Sequence, residues 1–110
     1  MHGVMTEPDQ LIVNEYLPGQ GISKHVDCVA CFGSVVAGVS LGWPVPMKFT
    51  DTRSQQTVEI DLPKGSLLVL AGESRFHWRH EIAARSSDLL HGQRVARQRR
   101  VSLTFRTVLT

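Results

Sequence analysis

Arg100-Val101-Ser102-Leu103-Thr104-Phe105-Arg106 alternates between polar and apolar side chains along its whole length. Successive side chains of a strand point to opposite faces. This is therefore a half-buried strand, with Val101, Leu103 and Phe105 on one face and Arg100, Ser102, Thr104 and Arg106 on the other. An arginine turned toward the interior of a β structure needs an anion, because a buried guanidinium without a partner is costly. At about 3.3 Å per residue the Cα atoms of the two arginines lie about 20 Å apart. Long side chains reaching inward from both ends could grip the two ends of a short dicarboxylate. The alternative is an edge strand with solvated arginines.

Working outward, further strands are expected at Leu11–Tyr16, Ser23–Asp27, Val35–Leu41, Val45–Phe49, Thr57–Leu62, Ser66–Ala71 and Trp78–Ile82, with the last running over Arg100–Thr107. Asp51-Thr52-Arg53-Ser54 and Pro63-Lys64-Gly65 read as turns, and Ala84–Gln98 is the longest polar connection. No long segment carries the helical period. The eight strands suit a double-sheet jelly roll, so the expected fold is all-β, a cupin-like double-stranded β-helix. A chain of 110 residues is one domain with one core. The stretch Cys28–Met47 carries no charge. Gly33, Gly38, Gly42 and the Pro44-x-Pro46 pair interrupt it, so two buried strands joined by a Gly-Trp-Pro turn explain it better than a membrane span. No signal peptide is evident. A net charge of +2 permits a nucleic-acid partner without demanding one.

His25-Val26-Asp27 adds chemistry to the fold. On a strand, residues two apart share a face, so His25 and Asp27 can face one interior point while Val26 packs the other way. His80, on another predicted strand, can complete the set. Two histidines and one carboxylate can occupy one face of an iron ion and leave the remaining positions open for a co-substrate and O₂. Read alone, the H-x-D pair balances evenly against ordinary core or surface histidines. Asn14 and Tyr16 share a face of the first strand and could offer an amide and a phenol to the same anion as the arginines.

Asn14-x-Tyr16, Pro18-Gly19-x-Gly21-Ile22, His25-x-Asp27, Ser40-Leu41-Gly42, the stretch Leu67–Phe76, His80 and Arg100-x5-Arg106 follow one another in order. In this ordered set the chain resembles the AlkB-type Fe(II)/2-oxoglutarate dioxygenases, over about Leu11 to Arg106. The resemblance implies that His25, Asp27 and His80 hold Fe(II). It implies that Arg100 pairs with the distal carboxylate of 2-oxoglutarate, helped by Asn14, Tyr16 and Ser102, with Arg106 nearer the keto-acid end. It implies an enzyme that uses O₂ and decarboxylates 2-oxoglutarate to succinate and CO₂ while oxidising a substrate C–H bond; the alternative is the same barrel kept as a non-catalytic binding module. Val29 stands where DNA-repair members carry a second, base-reading acid. The surroundings of His25 and the Gly72–Trp78 run look closer to members that hydroxylate modified wobble uridine in tRNA, while related members act on proteins. About ten residues precede the barrel, so most of the family's nucleotide-clasping lid is expected to be missing. The expected partner is nucleic acid, bound weakly by phosphate contacts through Arg94, Arg97 and Arg99. A monomer in the cytoplasm, or in the nucleus of a eukaryote, is expected, with no membrane partner.

Four further features have more than one reading each. Cys28-x-x-Cys31 reads first as a pair of buried or incidental thiols suited to a reducing compartment; a zinc site would need two more ligands from His2, His77 and His91, and a thioredoxin-like redox pair would open a helix in a βαβ unit, which this pattern lacks. The Arg94–Arg100 cluster is either a phosphate-binding strip or a solvated loop with only Arg100 turned inward. Phe76 and Trp78 could stack a base, or pack in the core. Arg75 is expected to border the substrate mouth, and His77 to be a surface or structural histidine.

Overall fold

The alternating segment at the C terminus forms a strand, and that strand lies inside a sheet rather than at its edge. The computed structural model describes residues 7–109. Among these residues the order is β1 (Gln10–Tyr16), β2 (Ile22–His25), β3 (Val35–Gly42), β4 (Val45–Asp51), β5 (Thr57–Leu62), β6 (Leu67–Ala71), α1 (Glu73–Phe76), β7 (Trp78–Ile82), β8 (Ser87–Leu90), β9 (Gln93–Ala96) and β10 (Arg100–Arg106). One four-stranded sheet runs β1-β10-β3-β6, a second runs β2-β7-β4-β5, and β8-β9 is a separate hairpin. Every pairing is antiparallel. The eight expected strands are therefore the two facing sheets of the jelly roll. No helix among the described residues is long and apolar enough to cross a membrane.

The core fills the space between the sheets. Val36 and Leu70 from the first sheet meet Val45, Met47, Phe49, Leu62 and Ile82, with Ile22, Leu68 and Trp78 packed around them. Burial of each large apolar side chain stabilises the fold by about 1.5–3 kcal/mol. Trp78 thus takes the core reading. The opposite face of the first sheet is apolar as well: Leu11, Val13, Leu41, Leu67 and Val69 lie on it and remain exposed.

Close backbone approach explains the Pro18-Gly19-x-Gly21 motif. A Cβ on Gly21 would come within 2.3 Å of the Ile82 carbonyl oxygen and 2.8 Å of the Ala84 nitrogen. Only glycine lets the chain enter β2 hard against the end of β7.

Two expectations change here. β2 stops at His25 instead of continuing to Asp27, and its register with β7 is irregular between Ile22 and His25. The Ala84–Gln98 connection contains a hairpin. Its two-residue loop, His91-Gly92, has positive φ at both positions (50° and 79°), the backbone of a type I′ turn. The hairpin also removes Arg97 from the expected phosphate-binding strip. Arg97 is buried, and its Nε and Nη2 donate to the carboxylate of Asp88 at 2.7 and 3.0 Å, while Nη1 donates to the Ala83 carbonyl at 2.7 Å. Arg85 adds a bond to Asp88 at 2.8 Å. Arg99 is exposed but pairs with Glu15, and Arg94 is exposed near Ser87.

The Arg97 hydrogen bonds, more than any other contact, hold the Asp88 carboxyl below its ordinary value of 3.8, against the opposing effect of burial. A carboxyl depressed in the folded state contributes stability above its unfolded value and loses that contribution as pH falls through the folded one. Arg97→Ala leaves the buried Asp88 carboxylate with only the half-exposed Arg85 as a partner and is expected to cost about 3 kcal/mol at neutral pH. The deficit should shrink below about pH 4, where Asp88 begins to protonate in the unfolded chain. Urea unfolding of both proteins at pH 7 and pH 3 checks this; a loss below about 1 kcal/mol at pH 7 contradicts it.

Candidate active site

β2 and β7 are adjacent strands, and their register sets His25 directly across from His80. The two rings lie with centroids 4.4 Å apart. Asp27 follows just beyond the end of β2 and is buried. Its Oδ1 lies 3.1 Å from His25 Nε2 and 3.6 Å from His80 Nε2. One potential ligand atom from each of the three residues falls within 4.8 Å of the others.

The hydrogen bonds around this trio leave a need for a cation. His25 Nδ1 lies 2.7 Å from the Ser23 carbonyl oxygen, which can only accept, so Nδ1 carries the proton. In the neutral ring Nε2 then presents a lone pair toward a carboxylate oxygen. Burial first, and then the neighbouring His25, push the His80 imidazole toward its neutral form, with Asp27 pulling the other way. His80 Nδ1 is buried without a partner among the described residues. Two imidazoles and a carboxylate converging on one point suit a divalent metal with mixed nitrogen and oxygen ligands.

The other end of the cavity needs an anion. Arg100 is buried, donates from Nη2 to Ser40 Oγ at 3.0 Å, and lies with its guanidinium carbon 5.3 Å from the centre of the Tyr16 ring. Its Nε and Nη1 are buried with no partner among the described residues. Burial works against its charge, yet a guanidinium stays protonated in proteins. Antiparallel register arranges the neighbours in rows: Tyr16, Arg100 and Gly42 lie abreast, and Asn14, Ser102 and Ser40 form the next row. Arg106 sits at the far end. Its Nε donates to Gln10 Oε1 at 3.1 Å, its Nη1 lies 3.5 Å from Asp27 Oδ2, and its guanidinium lies 4.0 Å from the Phe32 ring centre.

All eight residues expected at the site line a single cavity of about 220 Å³: Asn14, Tyr16, His25, Asp27, His80, Arg100, Ser102 and Arg106. Met47, Leu62 and Leu70 contribute its apolar wall. The volume is below that of most pockets for drug-sized ligands and suits a small one. Ser40, Gln10 and Phe32 belong to the site and were not among the expected residues. Ser40 shares a strand face with Gly38 and Gly42, but only the β3–β10 register brings it to Arg100.

Other expectations are corrected. Arg75 does not border a mouth; it is fully enclosed at 1% exposure. Cys28 and Cys31 are exposed and joined in a disulfide rather than free or bound to zinc. The turn between them, closed by Cys31 N–H on the Cys28 carbonyl at 3.2 Å, sets their Cα atoms 5.2 Å apart, within bridging range. His77 and His91 are exposed; His2 lies outside the described residues. Phe76 is half-buried on α1, with Arg75 against its ring at 4.9 Å.

Comparison with known proteins agrees with this geometry. The sequence model for the 2OG-Fe(II) oxygenase superfamily matches residues 4–106. The tRNA (carboxymethyluridine(34)-5-O)-methyltransferase alkbh8 of Xenopus tropicalis is 38% identical over 118 residues, covering 93% of this chain and 19% of that protein. The mitochondrial alpha-ketoglutarate-dependent dioxygenase alkB homolog 7 of Mus musculus is 36% identical over 107 residues, covering 92% of this chain and 48% of that protein. The solved structure of OsALKBH1 has the same fold, with a TM-score of 0.69 at 23% identity, over 93% of this chain and 49% of that one. The chain thus spans half or less of each of these proteins.

Arg100→Ala is expected to weaken 2-oxoglutarate binding by about 2–5 kcal/mol, the usual effect of truncating a buried charge pair. Arg100→Lys should recover little, because a point charge replaces a fork. Arg100→Met should leave the ligand-free protein as stable as before, or more so, because it removes a buried charge that has no counter-ion. Calorimetric titration and thermal melting separate the two effects. Unchanged affinity in both the Ala and Lys variants rules out the carboxylate clamp.

Proposed function

Since the chain belongs to the 2OG-Fe(II) oxygenase superfamily as an AlkB-like member, we propose that it oxidises a nucleic-acid substrate, a modified tRNA or an alkylated base, by hydroxylation or oxidative demethylation. In this reading His25, Asp27 and His80 hold the family's Fe(II), and Arg100 holds 2-oxoglutarate. The observation that carries the reading is the pair of opposite deficits in one cavity. Two histidines and a carboxylate converge on one point, and among the described residues two nitrogens of the buried Arg100 guanidinium have no hydrogen-bond partner.

Each residue then has a physical task. One carboxylate and two neutral imidazoles bind a divalent cation while leaving it net positive, which favours an anionic co-substrate beside it. The Ser23 carbonyl fixes the His25 tautomer so that Nε2 faces the metal. Arg106, at 3.5 Å from Asp27 Oδ2, engages one carboxylate oxygen and leaves Oδ1 toward the histidines. Arg100 receives the distal carboxylate of 2-oxoglutarate, with the Asn14 amide, the Tyr16 phenol and the Ser102 hydroxyl beside it. Bound Fe(II) supplies O₂ activation coupled to decarboxylation of the keto acid and hydroxylation of the substrate. Where the hydroxylated carbon bears a heteroatom, the product collapses and a methyl group is lost as formaldehyde.

The substrate class rests on two supports. An alkbh8 relative is named for action on tRNA, and the chain is mildly basic, at +2. With Arg97 enclosed and Arg99 paired to Glu15, few exposed arginines remain free for phosphates. Binding by this chain should therefore be weak and fall as salt rises.

The test is succinate formation under Fe(II) with tRNA, alkylated single-stranded DNA and unmodified controls. Product is expected with a nucleic-acid substrate. His25→Ala, Asp27→Ala and His80→Ala should each abolish it while circular dichroism stays unchanged. Near wild-type turnover by Asp27→Ala contradicts the metal assignment. Turnover of 2-oxoglutarate with no nucleic-acid product, but with a hydroxylated peptide, moves the substrate to protein.

A further inference from the structure

Among the described residues, Arg75 is the large side chain most completely enclosed by the protein, and no carboxylate lies within hydrogen-bonding distance of it. Its guanidinium donates to backbone carbonyls instead. Nη1 reaches Asp27 at 2.8 Å, Nε reaches Gly33 at 3.0 Å, and Nη2 reaches Cys28 at 3.3 Å and Phe32 at 3.4 Å. These carbonyls belong to the segment between β2 and β3, which has no strand ladder beyond one bridge from Phe32 to Val108. Backbone carbonyls outside a ladder need donors from elsewhere, and here one side chain supplies four of them.

What these carbonyls belong to matters more than their number. Asp27 is the one member of the trio that no strand holds, since β2 ends at His25. Arg75 sits on α1, directly before β7, which carries His80. The guanidinium therefore ties the backbone of the carboxylate to the segment leading into the opposite histidine. It acts a second time through Phe32, whose ring lies under Arg106, the arginine beside Asp27 Oδ2.

We propose that Arg75 is a positioning residue for the metal site. It fixes the Asp27 backbone and the Phe32 platform of Arg106, so that the carboxylate presents one oxygen to the metal and the other to Arg106. The proposal rests on the reading of His25, Asp27 and His80 as the metal-holding group. A planar fork bonds several carbonyls at once; a lysine keeps the charge but bonds as a point.

The experiment is Co(II) titration of the full chain, followed by the visible absorption of the bound ion, alongside thermal melting of the metal-free protein. The disulfide is kept intact throughout. Wild type, Arg75→Lys, Arg75→Gln and Asp27→Ala are compared. Arg75→Lys and Arg75→Gln are expected to weaken Co(II) binding at least tenfold at temperatures where each remains folded. A variant that melts lower yet binds Co(II) as tightly as wild type shows a structural role alone and overturns the proposal. If neither Arg75 variant folds, Phe32→Leu decides: weakened Co(II) binding supports the proposal and unchanged binding overturns it. The two readings fail separately. Wild-type binding by Asp27→Ala defeats the metal assignment, whereas loss in Asp27→Ala with none in Arg75→Lys defeats only the role of Arg75.

Discussion

The pairing of β2 with β7 is the constraint on which the site depends. Residues directly opposite on neighbouring antiparallel strands have Cβ atoms about 5 Å apart. A register that sets His25 across from His80 therefore converges two imidazoles without help from any loop. The third group cannot be supplied the same way. Continued pairing would carry Asp27 along the sheet and away from the histidines. Instead the strand ends at His25, and the chain beyond it brings Asp27 alongside them.

Electrostatics connects the strand geometry to ligand choice. Arg75 and Arg106 lie against Asp27, and Arg100 adds a third positive charge at the other end of the cavity. Arg75 donates to carbonyls and Arg106 engages Asp27, but among the described residues Nε and Nη1 of Arg100 have no partner. The opposite end of the same cavity consists of acceptors. A ligand with an anionic tail and a metal-chelating head answers both deficits together, whereas a simple apolar ligand answers neither. Met47, Leu62 and Leu70 give the cavity an apolar wall, against which polar interactions are stronger than in water.

Much of this was legible in the sequence, for identifiable reasons. Arg100 to Arg106 alternates without a break, so parity showed which residues share a face, and burial of Arg100 and Ser102 in the structure shows that the polar face is the inward one. His25 and Asp27 do face one point as their spacing implies, though Asp27 does so from beyond the strand. Parity does not reveal register, and Ser40 therefore became visible as a partner of Arg100 only once β3 was set beside β10. The β8–β9 hairpin escaped because Ser87, Asp88, Gln93 and Arg94 give it no apolar stripe. Its one signal was His91-Gly92, a dipeptide that tolerates positive φ at the turn. Arg75 and Arg97 read as surface arginines because charge predicts exposure on average. The first is buried by backbone carbonyls and the second by Asp88, and neither partnership leaves a pattern in a single sequence.

In the proposed function the trio and Arg100 serve one ligand at its two ends. Binding of metal and of 2-oxoglutarate must then be coupled, and thermodynamic linkage makes the coupling equal in both directions. Calorimetric titration of 2-oxoglutarate into the chain, with and without saturating Mn(II), measures it directly. Mn(II) is expected to tighten 2-oxoglutarate binding at least tenfold, and Asp27→Ala to erase the difference. Equal 2-oxoglutarate affinity with and without metal in the wild-type chain would contradict it.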